Sequence, residues 1–207
     1  LEPLRVAQAV KKMGLRHVVI TSVDRDDLKG DYGASIWADT IKQTKKVNPE
    51  CTVEVLTPDF KGYEPALKIV FDAKPDIFSH NVECVERISK TVRAQANWKR
   101  SLGVLEKSIQ DGLRTKTGIM VGLGEKTKEV KRTMKQVVDL WVQIFTIGQY
   151  LQPTKNHLKV QEYVSKKQFE AYKEFGYSIG FKVVESGPLV RSSYHADEQA
   201  RMVFNHG

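Results

Sequence analysis

Cysteine is scarce: Cys51 and Cys84 are the two thiols in 207 residues. Two thiols build neither a disulfide framework nor a four-thiolate metal site, and a reducing compartment is their simplest setting. Long apolar runs are missing too. None approaches the roughly 20 residues that cross a bilayer, and nothing at the start has the charged-then-apolar layout of a secretory leader, so no membrane partner is expected. Low-complexity tracts and interdomain linkers are absent, and the length suits one domain able to bury roughly 70% of its unfolded surface. There is no Gly-x-Ser-x-Gly elbow, and Ser192, Ser193 and His195 sit too close in sequence for triad geometry. The glycine-rich stretch 118–127 lacks both nucleotide-loop spacings. Ile119 stands where a Walker loop needs glycine, and Gly122-Leu123-Gly124 is followed by Glu125, Lys126 and Thr127 where a dinucleotide loop needs a third glycine. The chain opens on Leu inside a helical pattern, so further sequence upstream is expected.

Positive charge is in excess, at +8 with a pI near 9.4. Clustered Lys and Arg would suggest phosphate binding through counterion release. Here Lys11-Lys12, Lys45-Lys46, Lys166-Lys167 and the run from Lys126 to Arg132 lie on or beside helical patterns, interleaved with acids. That is the layout of a solvated outer face. Nucleic acid is not an expected partner, and long-range steering of an acidic protein is the stronger second reading.

Strand and helix patterns alternate along the whole chain. Leu4, Val6, Val10 and Met13 keep helical spacing behind Pro3, with Gly14 placed to stop the helix. A strand is expected at 17–21, a helix through Trp37, Ile41 and Thr44, a strand at 52–56, and a short helix from Pro65 carrying Leu67, Val70 and Phe71. The stretch 76–83 reads as the next strand. Leu102, Leu105 and Ile109 then form a helical stripe, followed by a strand at 115–121, a helix through Val130, Met134, Val137 and Trp141, and a strand at 144–149. Ser165 to Gln168 has capping-box spacing for a helix that Gly180 ends, and a last strand is expected at 181–185. Connections this long imply parallel strands with right-handed crossovers. About five units are too few for an eight-stranded barrel, which leaves an open partial barrel or a doubly wound sheet.

Most of these strands end in polar residues, as do functional strands at the mouth of a parallel barrel. Asp76-Ile-Phe-Ser-His-Asn-Val-Glu83 is the densest such edge, with Asn81 and Glu83 expected on one side. An amide beside a carboxylate can grip a vicinal diol such as a ribose, the bland alternative being a satisfied polar strand end. His80 reads as structural. Gly122 and Gly124 mark either a close ligand approach or a tight turn. Asp24, Asp26 and Asp27 surround Arg25 and read as self-neutralising rather than metal-binding. Arg100 is placed to reach a ligand carboxylate, and the tail from Gly187 to Ala196 reads as a polar lid.

Six motifs then carry a specific resemblance. Thr-Ser-Val-Asp-Arg-Asp-Asp-Leu (21–28), Leu-Thr-Pro-Asp-Phe (56–60), His-Asn-Val-Glu (80–83), Met-Val-Gly-Leu-Gly-Glu (120–125), Gly-Gln-Tyr-Leu-Gln-Pro (148–153) and Ser-Gly-Pro-Leu-Val-Arg-Ser-Ser-Tyr-His-Ala-Asp-Glu-Gln (186–199) occur in order over essentially the whole chain. The chain resembles the lipoyl synthase family of radical S-adenosylmethionine enzymes. The resemblance implies an α/β fold, a partial (β/α)6-type, TIM-like barrel with its N-terminal part missing. Residues 1–185 would form the barrel core and 186–207 a tail closing over its mouth. It also implies two four-iron, four-sulfur clusters and S-adenosylmethionine as cofactors, with sulfur inserted into an octanoyl chain on a carrier-protein lysine. The partners implied are an octanoylated lipoyl carrier domain or glycine cleavage H protein, and a reducing electron donor.

By the same resemblance Asn81 and Glu83 would hold the ribose, Arg100 the methionine carboxylate, and Ser22 and Asp24 the amino end. Gln149 with Gly122, Gly124 and Glu125 would shape the adenosine pocket. Ser193 matches an alkoxide ligand of the auxiliary cluster, with Ser192 as the alternative, and no side chain takes a catalytic step. The family's two cysteine triplets lie upstream of the matched region and are not in this chain, and Cys84 stands where the family has Thr or Ser. The chain therefore reads as the carboxyl two-thirds of the enzyme, inactive alone. The alternative is a cluster-less pseudoenzyme that binds a nucleoside or an acylated carrier domain. The tail motif is closer to bacterial members, which implies a cytoplasmic setting, or a mitochondrial one in a eukaryote.

Overall fold

In the computed structural model, which describes residues 1–204, helices and strands alternate except for two successive helices between the third and fourth strands. They are α1 (Glu2–Met13), β1 (His17–Thr21), α2 (Ala34–Val47), β2 (Thr52–Leu56), α3 (Glu64–Asp72), β3 (Ile77–Ser79), α4 (Glu86–Val92), α5 (Trp98–Gln110), β4 (Thr115–Val121), α6 (Thr127–Val138), β5 (Ile144–Gln149), α7 (Lys166–Ile179), β6 (Val183–Gly187) and α8 (Ala196–Phe204). Local chemistry sets several bounds. Pro3 and Pro65 sit in first turns, where a missing N–H costs nothing. Gly14 and Gly180 close α1 and α7 in the left-handed region. Side-chain oxygens of Asn97 and Ser165 accept from Arg100 N and Gln168 N, capping α5 and α7.

The six strands are parallel and ordered β1-β2-β3-β4-β5-β6. This order decides between the two architectures. A doubly wound sheet reverses direction at a switch point, whereas an unreversed order carries every crossover the same way, with helices on one face. The fold is a six-stranded partial barrel of the TIM-like type. On its helix-facing side Val53, Val55 and Phe78 pack with Trp37, Ile41, Leu67 and Phe71. Farther along the sheet, Ile119, Val121, Phe145, Ile147 and Val184 pack with Val130, Met134, Val137, Phe169 and Tyr172. Each such side chain contributes about 1.5–3 kcal/mol by burial.

The opposite face lines the lumen. Leu56, Ser79, Lys116, Ile144 and Val183 are register partners across five strands and form one row there. Ile144 and Val183 of this row, with Ile77 one lumen position lower, pack with Ala200 and Val203 of α8, which also contacts both edge strands, β1 and β6. Lys116 of this row forms a charge pair with Glu54, two residues before Leu56 on β2, with no exposure at either side chain: Lys116 Nζ is 2.8 Å from Glu54 Oε1. Neither atom has a well-aligned hydrogen-bond partner. His17 stands beside it, its Nε2 3.4 Å from Glu54 Oε2 and its Nδ1 2.7 Å from Thr52 Oγ1.

Five expectations are corrected. The third strand stops at Ser79, because Thr117 Oγ1 donates to the His80 carbonyl and accepts from Val82 N, pulling the chain out of the ladder. It rejoins at Glu83, which bridges to Ile119 with φ 69°. Helix α4 was not expected. Its apolar positions Val85, Ile88 and Val92 are too few for a clear period. Trp141 lies beyond the end of α6 with φ 68° and is 79% exposed. The last strand starts at Val183, since Phe181 turns to pack on Phe145, centroids 5.1 Å apart. The tail is not one lid: residues 190–192 reach the mouth, while Ala196–Phe204 is a helix under the lumen. Residues 205–207 of that tail lie outside the described residues.

Candidate functional site

At the carboxyl ends of β3, β4 and β5 a cavity of about 210 Å³ is lined by Asn81, Glu83, Gly118, Thr146 and Gly148, and roofed by Val190, Arg191 and Ser192. The strand period builds its wall: Gly118 and Met120 on β4 and Thr146 and Gly148 on β5 share the lumen side. The two glycines make close approach possible. A Cβ at Gly118 would overlap Thr146 Oγ1, and one at Gly148 would overlap the Val190 carbonyl, so the roof segment rests on bare backbone.

Asn81 Nδ2 donates to Ser192 Oγ at 2.9 Å, tying the roof to the strand edge. Its Oδ1 is buried with no partner. Glu83 lines the same cavity, and burial raises its carboxyl above the usual 4.5, opposed by the charge of Arg93 and reinforced by that of Asp24. Its left-handed backbone costs about 1 kcal/mol or more, a strain typical of functional positions. An acceptor oxygen and a carboxylate facing one cavity fit a vicinal diol, since both hydroxyls can donate. A nucleoside's ribose therefore fits the residues present.

An iron–sulfur cluster does not. Both thiols are buried, and burial, helped by the charges of Glu83 and Glu125, pushes Cys84 up to about 12, far from a thiolate. Among the described residues there is also no group of three or more His, Cys, Asp or Glu side chains that could hold a metal ion.

The remaining expected residues are not gathered at the cavity. Gln149 is on the helix-facing side of β5. Its Nε2 donates to the carbonyls of Tyr150 and Glu162, and its Oε1 accepts from Val164 N at 2.9 Å. It is a clamp for the segment after β5. Gly122 and Gly124 hold φ of 97° and 94° in a turn that Glu125 closes by accepting from Gly122 N and Leu123 N at 2.7 and 2.9 Å. These three build a tight turn. Arg100 Nε donates to Asp59 Oδ2 at 2.7 Å, outside the cavity lining. Ser22 lines a separate pocket with Arg25 and Tyr32, and Asp24 pairs with Arg93. Ser193 faces a cleft between α1, β1 and α8, whereas Ser192 is the serine at the cavity. His80 is structural and held neutral by burial, its Nδ1 donating to the Thr57 carbonyl at 3.0 Å. Thr146, Val190 and Arg191 were missed. The alternation Thr146-Gly148 was the available signal for the first.

One ion pair braces the rim. Arg87 Nε and Nη2 donate to the Glu129 oxygens at 2.7 and 2.9 Å, and Nη2 also to the Gly124 carbonyl. The Arg87 hydrogen bond, then that of Lys126 N, lowers Glu129 from 4.5 to about 2. This stabilisation is full above 4.5 and is lost as pH falls toward 2. Solvent screening of the half-exposed Arg87 keeps it small. Glu129→Gln should flatten stability against pH across that window, read from urea midpoints.

The comparisons give the geometry a family. The sequence profile of the Radical SAM superfamily matches residues 1–137. The lipoyl synthase of Rubrobacter xylanophilus is 56% identical over 200 residues, covering 96% of this chain and 62% of its own length. The lipoyl synthase of Phocaeicola vulgatus is 52% identical over 200 residues, covering 97% of this chain and 70% of its own. Among solved structures, Streptococcus suis SuiB bound to S-adenosylmethionine superposes with TM-score 0.69 at 7% identity, over 95% of this chain and 44% of that one. That last likeness is one of fold alone. The chain thus spans about two-thirds of the length of the relatives it matches, at an identity that leaves its membership plain: it belongs to the lipoyl synthase family of the radical S-adenosylmethionine superfamily.

Proposed function

We propose that this chain forms the cofactor- and substrate-binding barrel of a lipoyl synthase, which inserts sulfur into an octanoyl chain carried on a protein lysine. The observation that carries the reading is the pairing of the unpartnered Asn81 Oδ1 with the buried Glu83 carboxyl in one roofed cavity. Together they accept from the two ribose hydroxyls of S-adenosylmethionine. Ser192 holds Asn81 in orientation, and the roof at 190–192 excludes water from the lumen beneath. The hydrogen abstraction and the sulfur would come from S-adenosylmethionine and from clusters whose ligands these residues do not supply. The side chains here bind and orient.

The octanoyl chain lies along the lumen wall made by Gly118, Met120, Thr146 and Gly148. An octanoylated lipoyl carrier domain or glycine cleavage H protein presents it at the mouth, a reducing donor supplies electrons, and the setting is cytoplasmic, or mitochondrial in a eukaryote. The 207 residues alone, reconstituted with iron and sulfide and given reductant and S-adenosylmethionine, should bind an octanoyl-lysine peptide yet yield no lipoyl product by mass spectrometry. Product formation would contradict the assignment of the cluster thiolates to sequence outside these residues.

A further inference from the structure

The ladder between β3 and β4 carries one residue too many on the β3 side. Ser79 faces Lys116 in register, yet Glu83 faces Ile119, so four steps along one chain match three along the other. The backbone bonds locate the extra residue. His80 N donates to the Lys116 carbonyl, and in a regular parallel ladder Val82, two residues on, would donate to the Gly118 carbonyl and accept from Met120 N. Glu83 makes both of those bonds instead, at 3.3 and 2.8 Å. The groups left over, the Val82 N–H and the His80 carbonyl, meet the Thr117 hydroxyl at 3.3 and 2.6 Å. Thr117 has no exposure and stands outside the cavity lining.

We propose that the Thr117 hydroxyl is the positioning group of the diol clamp: by replacing the ladder partners of His80 and Val82 it holds the bulge that sets Asn81 and Glu83 to a single diol. This rests on reading the cavity as a ribose site. In an unbulged strand the two residues would stand about 7 Å apart along β3, a spacing for separate groups. The bulge draws Glu83 down β4 by one residue, about 3.3 Å. Asn81 Oδ1 meanwhile lies over Gly118, 3.3 Å from where a Cβ there would stand. Bulges are rare in parallel pairs and gather beside active sites, where they re-aim a side chain. Without the hydroxyl, two buried backbone groups lose their partner, and a regular ladder in which Gly118 satisfies both becomes the better-bonded arrangement.

The test is calorimetric titration of Thr117 variants of this chain with S-adenosylmethionine and its 2′-deoxy analogue, with urea denaturation alongside. The native chain should bind the first about ten-fold more tightly. T117V, isosteric but without the hydroxyl, should bind S-adenosylmethionine about ten-fold more weakly than the native chain and bring the ratio of the two ligands near one. T117S keeps the hydroxyl and should keep the native ratio. The ratio separates positioning from support of the fold, since a loss of folded protein weakens both ligands equally. T117A also lacks the hydroxyl and carries the same expectation if T117V does not fold. A native ratio in either of these variants when folded, or a ratio near one in T117S, overturns the positioning role while leaving the ribose reading in place. If neither T117V nor T117A folds, the role is overturned as well, because the hydroxyl is then a requirement of the fold. A native chain that binds both ligands equally, or neither, overturns the ribose reading and the positioning role with it.

Discussion

Lys116→Met alone should lower the unfolding free energy by about 3–5 kcal/mol, the usual cost of breaking a buried pair by removing one partner. The Glu54 carboxylate would be left with no exposure and with the His17 imidazole, its Nε2 3.4 Å away, beside it. The pair itself is weak evidence for stability, since desolvating two ions offsets most of their attraction. E54L/K116M should therefore recover native stability to within about 1–2 kcal/mol, because apolar side chains of similar volume replace both charges. Urea denaturation of the two variants and the parent decides this. If the double variant falls as far as Lys116→Met does, the lumen row is held by packing alone and the charge argument is wrong.

Loss of Glu83 should weaken S-adenosylmethionine binding by about 10- to 100-fold in Glu83→Gln, the range for a hydrogen bond to a charged acceptor. Asn81→Ala should cost about ten-fold, as a neutral one does. The raised carboxyl adds a pH signature. Binding needs the ionised acceptor, so affinity should decline with falling pH, starting above the ordinary 4.5, and Glu83→Gln should abolish that slope. Without ligand the sign for stability is the reverse. The folded protein keeps the Glu83 proton to higher pH than the unfolded chain, so stability drops as pH rises from 4.5 through the raised value. Calorimetric titration at several pH values reads the first effect and urea midpoints the second.

Much of the fold was legible because β1, β2, β4 and β5 are bounded apolar runs and most helices carry their own stop and start residues. Where tertiary contacts overrode local pattern, legibility ended. Nothing in 76–83 shows that the Thr117 hydroxyl takes the His80 carbonyl and ends β3 early. The tail motif suggested a lid, yet Ala200 and Val203 find an apolar floor that exists only once the strands are aligned. At the site, Asn81 and Glu83 were readable as a polar edge, and they do meet in one cavity. Gln149 was expected at the adenosine pocket because an amide at a strand end suggests a ligand. Its parity with Phe145 and Ile147 put it on the helix side, where it clamps the following segment. Lys116 gave no signal at all, since its partner lies 62 positions earlier and meets it only across β3.

The most direct measurement is calorimetric titration of this chain with S-adenosylmethionine and with its 2′-deoxy analogue. Saturable binding of the first, weakened about ten-fold in the second and equalised between them in Asn81→Ala, is the result predicted for a ribose held by Asn81 and Glu83. Equal affinities in the native chain, or no saturable binding of either, would contradict the account.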